Sequence, residues 1–212
     1  MMLQLQQLSV PPGQRLLLNN ISWAALETIL DELGEHRNTR IAYSNGTLEL
    51  MTPLPEHERA KVILGDLVKA LLDELDRDWE SLGSTTFKRE AMAAGIEPDD
   101  CFYIQNYSRV IGQEKLDFNI DPAPDLAIEV DVTSQTQVSA YAALGVPEIW
   151  CYRNRQLQIN LLETDQYIRS QNSLAFPSIP IIKGISTFSE MSRTQGPRQT
   201  LKAFRAWVRQ QP

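Results

Sequence analysis

The chain has few of the side chains that bind soft metals, since its 212 residues include only two cysteines and two histidines. His36 and His57 are too few for a histidine-rich zinc site. Cys101 and Cys151 stand 50 residues apart, which is not a metal-ligand spacing, and both lie in apolar, aromatic-rich segments. We therefore expect them to be buried, reduced thiols. A metal site in this chain must depend on carboxylates, whose hard oxygen atoms favour Mg²⁺ or Mn²⁺.

Long apolar runs are also missing, because no stretch of about 18 apolar residues could span a bilayer. Residues 1–7 lack the basic segment and apolar core of a signal peptide. We therefore expect a soluble, cytoplasmic protein that does not bind membranes. Positive charge is scarce as well: 20 Lys and Arg stand against 27 Asp and Glu, a net charge of −7. This balance argues against tight non-specific binding to nucleic acid, so such contact must be local or assisted by a metal.

The chain has no linker-like segment, because its 12 prolines and 10 glycines are spread along the sequence. With 42% hydrophobic residues it is long enough for one well-buried core. We predict a loosely ordered arm over residues 1–14 and a single domain over residues 15–212.

Local patterns predict an alternation of helices and strands. Ser22 predicts the start of a helix and Gly34 its end, and Asn45-Gly46 predicts a tight hairpin turn. Leucines at helical spacing predict a long helix from Glu56 to Leu75. The remaining predictions are strands at 40–43, 47–51, 85–90, 99–104, 126–132, 148–153 and 156–162, and helices at 136–144 and 198–209. This order indicates a mixed α/β or α+β fold.

The segment from residue 125 to residue 131 carries the most information about chemistry. As a strand, it places Asp125, Glu129 and Asp131 on one face and three aliphatic residues on the other. Ala127 lies between the acids on their face, where its small side chain leaves room for an ion or a phosphate. Neighbouring carboxylates repel one another and lose hydration, so they tend to persist where a cation or a proton uses them. The row predicts a metal site.

Two patterns also have a plain structural interpretation. The acidic row is compatible with a solvated strand face at the edge of an antiparallel sheet. Four aromatic residues could stack on bases but are more often core residues in strands; they are Phe102, Tyr103, Trp150 and Tyr152.

Five segments occur together in a fixed order over about half of the chain: Pro53–Glu58, Gly83–Thr86, Glu97–Asp100, Pro124–Val130 and Gly145–Trp150. Through them the chain resembles the Uma-type family of restriction endonucleases, within the PD-(D/E)XK nuclease superfamily. The resemblance implies a restriction endonuclease-like fold, with a mixed β-sheet core flanked by helices.

The same resemblance implies that Asp99 and Glu129 are the central metal ligands. Hydrolysis of a phosphodiester needs a cation that polarises the phosphate and lowers the pKa of the attacking water, and Mg²⁺ or Mn²⁺ would serve. Asp125 lies about 13 Å from Glu129 along the strand, so we interpret it as a supporting or structural residue.

The sequence departs from the superfamily at the position of its lysine, where Asp131 stands. Relatives of the Uma type place a lysine four residues before a tyrosine on the next helix, and counting back from Tyr141 leads to Gln137. Gln137 can orient a water molecule but carries no charge. Either Lys88 on a neighbouring strand compensates, or the chemistry is weak.

The family also uses an acidic or polar residue of the first core helix. On a helical projection of 100° per residue, Glu56 and His57 fall near the apolar stripe and Glu58 falls on the opposite face. Glu56 or His57 is therefore the candidate, and Glu58 is predicted to face water. The plain alternative for His57 is a histidine that bonds to the backbone at the start of the helix.

The leading hypothesis is a divalent-metal-dependent DNA endonuclease, expected from resemblance and symmetry to work as a homodimer. A rival is a catalytically idle descendant that keeps the fold as a binding or assembly module. A third possibility is a nuclease that acts on RNA or on branched DNA.

Overall fold

The computed structural model describes residues 9–34, 39–90, 93–118, 120–131 and 138–212. The helices are α1 (Trp23–Leu33), α2 (Pro55–Glu74), α3 (Tyr107–Val110), α4 (Val138–Leu144), α5 (Ile181–Gln195) and α6 (Pro197–Val208). The strands are β1 (Arg15–Leu18), β2 (Arg40–Ser44), β3 (Thr47–Met51), β4 (Glu80–Ser81), β5 (Phe87–Arg89), β6 (Ala94–Ile96), β7 (Asp100–Tyr103), β8 (Leu126–Asp131), β9 (Glu148–Arg153), β10 (Gln156–Glu163) and β11 (Gln166–Ser170).

The strands form two sheets flanked by helices, so the predicted mixed α/β class is confirmed. The first sheet has the order β1-β3-β2-β6-β5, and the second has the order β11-β10-β9-β8-β7-β4. In the second sheet β8 and β9 run parallel, whereas β8 pairs antiparallel with β7. No helix in the described part of the chain is both long and apolar enough to cross a membrane.

Local sequence signals account for the first elements. Ser22 caps α1 by accepting a hydrogen bond from the Ala25 N–H at 3.2 Å, and Gly34 ends the helix with a φ of 68°. Asn45 and Gly46 join β2 to β3 with φ values of 47° and 84°, as a tight primed turn requires. These predictions are confirmed.

Several elements were not predicted, and α5 is the largest of them. Its buried residues include Gly184 and Ser189, which dilute the apolar stripe from which a helix is normally predicted. The short strands β1, β4 and β6 were also missed, because four residues or fewer show too little alternation. Strand β11 was missed because it has no buried residue and shows no apolar face.

The two faces of β8 pack against different layers. Leu126, Ile128 and Val130 lie in the core cluster that contains the buried side chains of α2, α5 and α6. Ala127 lies in a second cluster together with α4. Since Ala127 is fully buried and Asp125 is 8% exposed, the interpretation of this face as a solvated edge is wrong.

The cysteines and the strand aromatics belong to the core. Cys101 and Cys151 are free and buried, as expected, and burial raises the pKa of both thiols. Phe102, Tyr103 and Trp150 are fully buried. Tyr152 is 8% exposed and lies in the same cluster as Trp150, so the core interpretation is confirmed.

A glycine lets α2 approach β7, which leads to a stability prediction. A Cβ atom on Gly65 would lie 2.5 Å from Asp100 Oδ2. That carboxylate is held on its other oxygen by Ser81 Oγ and by the Cys101 N–H, each at 2.9 Å. We expect Gly65→Ala to lower the free energy of unfolding by about 1–3 kcal/mol, because overpacking outweighs the gain in helix propensity.

Urea unfolding followed by circular dichroism would measure this effect. Val62→Ala, at an exposed position of the same helix, is the control and should stay within about 0.5 kcal/mol of the parent chain. A Gly65→Ala protein as stable as its parent would show that the helix can shift at no cost.

Candidate functional site

Asp99 lies between β6 and β7, where the first sheet meets the second. Its N–H donates to the carbonyl of Ile128 at 3.0 Å, and its Oδ2 accepts from the N–H of Val130 at 2.6 Å. The backbone on both sides of Glu129 therefore holds Asp99, which is 1% exposed. The sequence-predicted pair of Asp99 and Glu129 is brought together.

Two cationic or polar groups reach the buried Asp99 carboxylate. The guanidinium of Arg40, at the start of β2, forms an ion pair with Asp99 Oδ1. His57 Nε2, in the first turn of α2, lies 3.1 Å from Asp99 Oδ2. Arg40 is 14% exposed in its side chain and His57 is 4% exposed, so both act in a poorly hydrated environment.

Glu58 links these groups to the surface. Its Oε1 lies 3.2 Å from His57 Nδ1 and 3.8 Å from an Arg40 guanidinium nitrogen. Its side chain is 46% exposed, as the helical projection indicates. The projection places only the Cα atom, and a flexible glutamate in a first helical turn can also reach sideways to these groups.

Glu129 receives a hydrogen bond from the phenol of Tyr141 in α4. Burial raises the pKa of Glu129 well above its ordinary value, and the negative charge of Asp99 raises it further. Tyr141 and Arg40 act in the opposite direction. The two carboxylates thus share a buried space in which their like charges are costly, and a cation between them would relieve that cost.

The donor set fits a magnesium-type ion in part. Mg²⁺ commonly uses one or two carboxylates and completes its shell with water and substrate phosphate, so Asp99 and Glu129 are sufficient protein ligands. Within the described ranges, no group of three or more His, Cys, Asp or Glu side chains is arranged to hold a metal. An ion at this position would therefore have only these two carboxylates as its acidic ligands among the described residues.

The other predicted site residues lie apart from this cluster. Glu56 is exposed and lies 3.5 Å from Arg193 of α5 in an ion pair. Lys88 of β5 donates to Glu27 of α1 at 2.6 Å, with both side chains 37% exposed. Gln137 lies outside the described residues.

Asp125 has a structural role at the other end of the acidic row. Its Oδ2 accepts from the N–H groups of Ile104, Gln105 and Asn106 at 2.7, 2.9 and 3.2 Å, and its Oδ1 accepts from the Asn106 side chain at 3.0 Å. These bonds fix the segment before α3, in agreement with the structural interpretation of Asp125.

Sequence reasoning missed Arg40 and the contact of Tyr141. Arg40 is separated from Asp99 by 59 positions, and nothing in its local pattern distinguishes it from a surface arginine. Tyr141 entered the sequence argument only as a reference point for counting to Gln137. Tyr141 lies one turn after the start of α4, and a residue at that position can face the strand that precedes the helix. This position was the only hint of its contact with Glu129.

Comparisons with known proteins found a matching family and a similar solved structure. A family model, Uma2, described as "Putative restriction endonuclease", matches residues 23–190. The chain is similar to a solved structure described as a putative nuclease belonging to DUF820 from Anabaena variabilis ATCC 29413, with 16% identity and a TM-score of 0.45. That match covers 76% of this chain and 90% of the other. No curated protein sequence matches the chain.

Proposed function

The chain belongs to the Uma2 family of restriction endonucleases, and from this premise we propose that it is a divalent-metal-dependent endonuclease that hydrolyses phosphodiester bonds in DNA. The observation that carries the proposal is the buried pair of Asp99 and Glu129. Burial raises the pKa of Glu129, and the charge of Asp99 adds to this rise. Perturbed carboxylates of this kind are typical of functional sites.

Asp99 and Glu129 would hold the ion. When bound, Mg²⁺ or Mn²⁺ supplies a positive charge that polarises the phosphate and lowers the pKa of a bound water. The protein contributes the orientation of both ligands. The N–H of Val130 fixes Asp99 on one side, and the Tyr141 phenol fixes Glu129 on the other.

We assign to Arg40 the positive charge that the superfamily's lysine supplies. Its guanidinium is always charged, lies against Asp99, and has donors left for a phosphate oxygen. Lys88 would first have to leave Glu27, and Glu56 would have to leave Arg193. The contribution of α2 would therefore come from His57, whose Nε2 lies 3.1 Å from Asp99 Oδ2. The role of Gln137 stays a prediction, as do the homodimer and the cytoplasmic location.

One observation favours the catalytically idle alternative. The Arg40 guanidinium already neutralises Asp99, so the cluster is stable as a structural ion pair without a metal. In that case the chain would keep the fold as a binding module, and substitutions at Glu129 would not affect its function.

The deciding experiment is cleavage of supercoiled plasmid by the purified protein with Mg²⁺, Mn²⁺ or EDTA, compared with Glu129→Gln. We expect metal-dependent nicking that falls by more than about 100-fold in the variant, because loss of a ligand costs more than loss of its supporting partner. We also expect the variant to melt at a higher temperature at neutral pH. Since burial raises the pKa of Glu129, its charged form destabilises the fold, and a neutral glutamine removes that cost.

Glu163→Gln, at the exposed end of β10, is the matched control and should behave like the parent chain. No cleavage by the parent chain, or equal cleavage by Glu129→Gln, would support the idle binding module. A higher melting temperature together with unchanged cleavage would show that Glu129 is buried but does not take part in the chemistry.

A further inference from the structure

A cavity of about 960 Å³ lies beside the Asp99–Glu129 cluster. Its walls come from the first three turns of α2, the end of β8, the turn after β9 and the facing side of α5. Asp131 and Glu58 line it and connect it to the cluster, because Asp131 follows Glu129 on β8 and Glu58 binds Arg40. Ligands of sheets with parallel strands commonly bind beyond the carboxyl ends of those strands, and β8 and β9 are such a pair.

Arg155 occupies an unusual backbone position at the rim of this cavity. The turn from β9 to β10 consists of Asn154 and Arg155, with φ values of 49° and 64°. Turns of this type favour glycine at the second position, because a side chain is strained at positive φ. An arginine at this position makes the turn less stable than a glycine would, but it places a guanidinium at the cavity.

Three arginines and four acidic residues line the cavity. Arg59 and Arg155 form no ion pair within the described part of the chain, and Arg193 pairs only with the exposed Glu56 at 3.5 Å. Burial raises the pKa of the Tyr152 phenol and the charge of Glu190 raises it further, whereas a hydrogen bond with Ser189 and the charges of Arg193 and Arg155 lower it. Arg155 and Arg193 therefore lie close to this residue of the cavity wall.

Ser189 adds a buried hydroxyl to the cavity wall. It is 3% exposed, and its hydrogen bond with the Tyr152 phenol is poorly oriented, since the serine oxygen has no well-directed partner among the described residues. A phosphate oxygen or a base edge would give this hydroxyl a better acceptor.

The acidic residues of the lining do not exclude an anionic ligand. Glu58 binds Arg40 and His57, and Glu56 binds Arg193. Burial raises the pKa of Asp66, and the charge of Lys69 acts in the opposite direction. Asp131 lies at the end nearest the proposed metal ligands and stands opposite Arg153 in the register of β8 and β9.

On the basis of the endonuclease activity proposed above, we propose that this cavity binds an unpaired strand of nucleic acid. Arg155 and Arg193 contact phosphates, Ser189 donates to a phosphate or a base, and the apolar wall of Ala60, Val62 and Pro197 contacts a base. A concave site with few cations suits one flexible strand, in which phosphates and bases are both accessible. Binding of a rigid duplex is disfavoured, because its phosphates are repelled by a chain with a net charge of −7.

Fluorescence anisotropy in EDTA tests this binding separately from cleavage. The probes are labelled oligo(dT), oligo(rU) and a short blunt DNA duplex. We expect a single-stranded probe to bind more tightly than the duplex. Arg155→Gly should weaken that binding about 10-fold and lower the slope of log K against log salt by about 0.7, because one phosphate contact is lost. Ser189→Ala should weaken it as well.

Arg155→Gly should leave the fold at least as stable, because glycine suits the turn. Ser189→Ala should change stability little, because the hydrogen bond that it removes is poorly oriented. Arg169→Gly, on the exposed edge strand β11, is the control for loss of charge and should bind like the parent chain. If oligo(dT) or oligo(rU) binds more tightly than the duplex, the result supports a site for an unpaired strand. The tighter of the two oligonucleotides shows whether the site prefers deoxyribose or ribose. Equal or tighter binding of the duplex, or unchanged binding by both variants, would overturn the proposal. Because binding is measured in EDTA, its result is independent of whether the parent chain cleaves plasmid.

Discussion

Replacing Asp99 with asparagine should reduce plasmid cleavage by more than about 100-fold, because the amide is a poor ligand for Mg²⁺. The asparagine would keep the shape of the side chain and could still accept the hydrogen bond from the Val130 N–H. Nicking rates at saturating Mg²⁺ and Mn²⁺ would measure the loss. A metal titration followed by the melting temperature gives a second readout, since the parent chain should be stabilised by Mn²⁺ and Asp99→Asn should not.

Asp100→Asn is a closely matched control for this experiment. Asp100 is the next residue and is also buried, at 7% exposure, but its carboxylate binds Ser81 and the Cys101 N–H beneath α2. It should keep most of the cleavage activity. If both variants lost the same amount of cleavage activity, the negative charge at this end of the strand would be needed for the fold. Asp99 would then no longer be assigned as a metal ligand.

Replacing Arg40 with leucine should lower the free energy of unfolding by about 3–5 kcal/mol, which is the usual cost of leaving one member of a buried ion pair alone. Asp99 is 1% exposed and lies near a second carboxylate, so the loss of the guanidinium leaves two acids with little compensation. Urea unfolding at neutral pH would measure the change.

The double variant Arg40→Leu, Asp99→Asn distinguishes this electrostatic cause from a loss of packing. Removal of the carboxylate should restore a large part of the stability, giving a clear coupling in a double-mutant cycle. Arg169→Leu, at an exposed position of β11, should change stability by no more than about 0.5 kcal/mol. An Arg40→Leu protein within about 1 kcal/mol of its parent would contradict the buried ion pair.

Much of the fold could be predicted from local patterns. Ser22, Gly34 and the Asn45-Gly46 turn specify their own backbone conformations, so α1 and the first hairpin follow directly. The 20-residue helix α2 was predicted to within one residue at each end, because its leucines repeat at helical spacing. Alternation in β8 identified which side chains face the core beneath α2.

The site could be predicted only where a motif marked it. Asp99 and Glu129 were identified by the resemblance, and the row of acids on β8 marked Glu129 independently. His57 was one of two candidates, and the structure brings it to Asp99. Lys88 was a candidate because it lies on a predicted neighbouring strand, and Glu56 because the helical projection placed it near the apolar stripe. Each is instead held by a different element, α1 and α5 respectively.

The sequence by itself determined the class of the fold, the face of β8 that carries the acids and the two carboxylates that anchor the proposed site. The first two properties follow from backbone preference and from period-two alternation, which are local, whereas the pair of carboxylates follows from the resemblance to a known family. Only the tertiary structure decided that Arg40 neutralises Asp99, that Tyr141 holds Glu129 and that Arg155 borders a cavity with Ser189. Such contacts join elements that are distant in sequence, and they depend on the packing of α2, α4 and α5 around the second sheet, which local patterns do not specify.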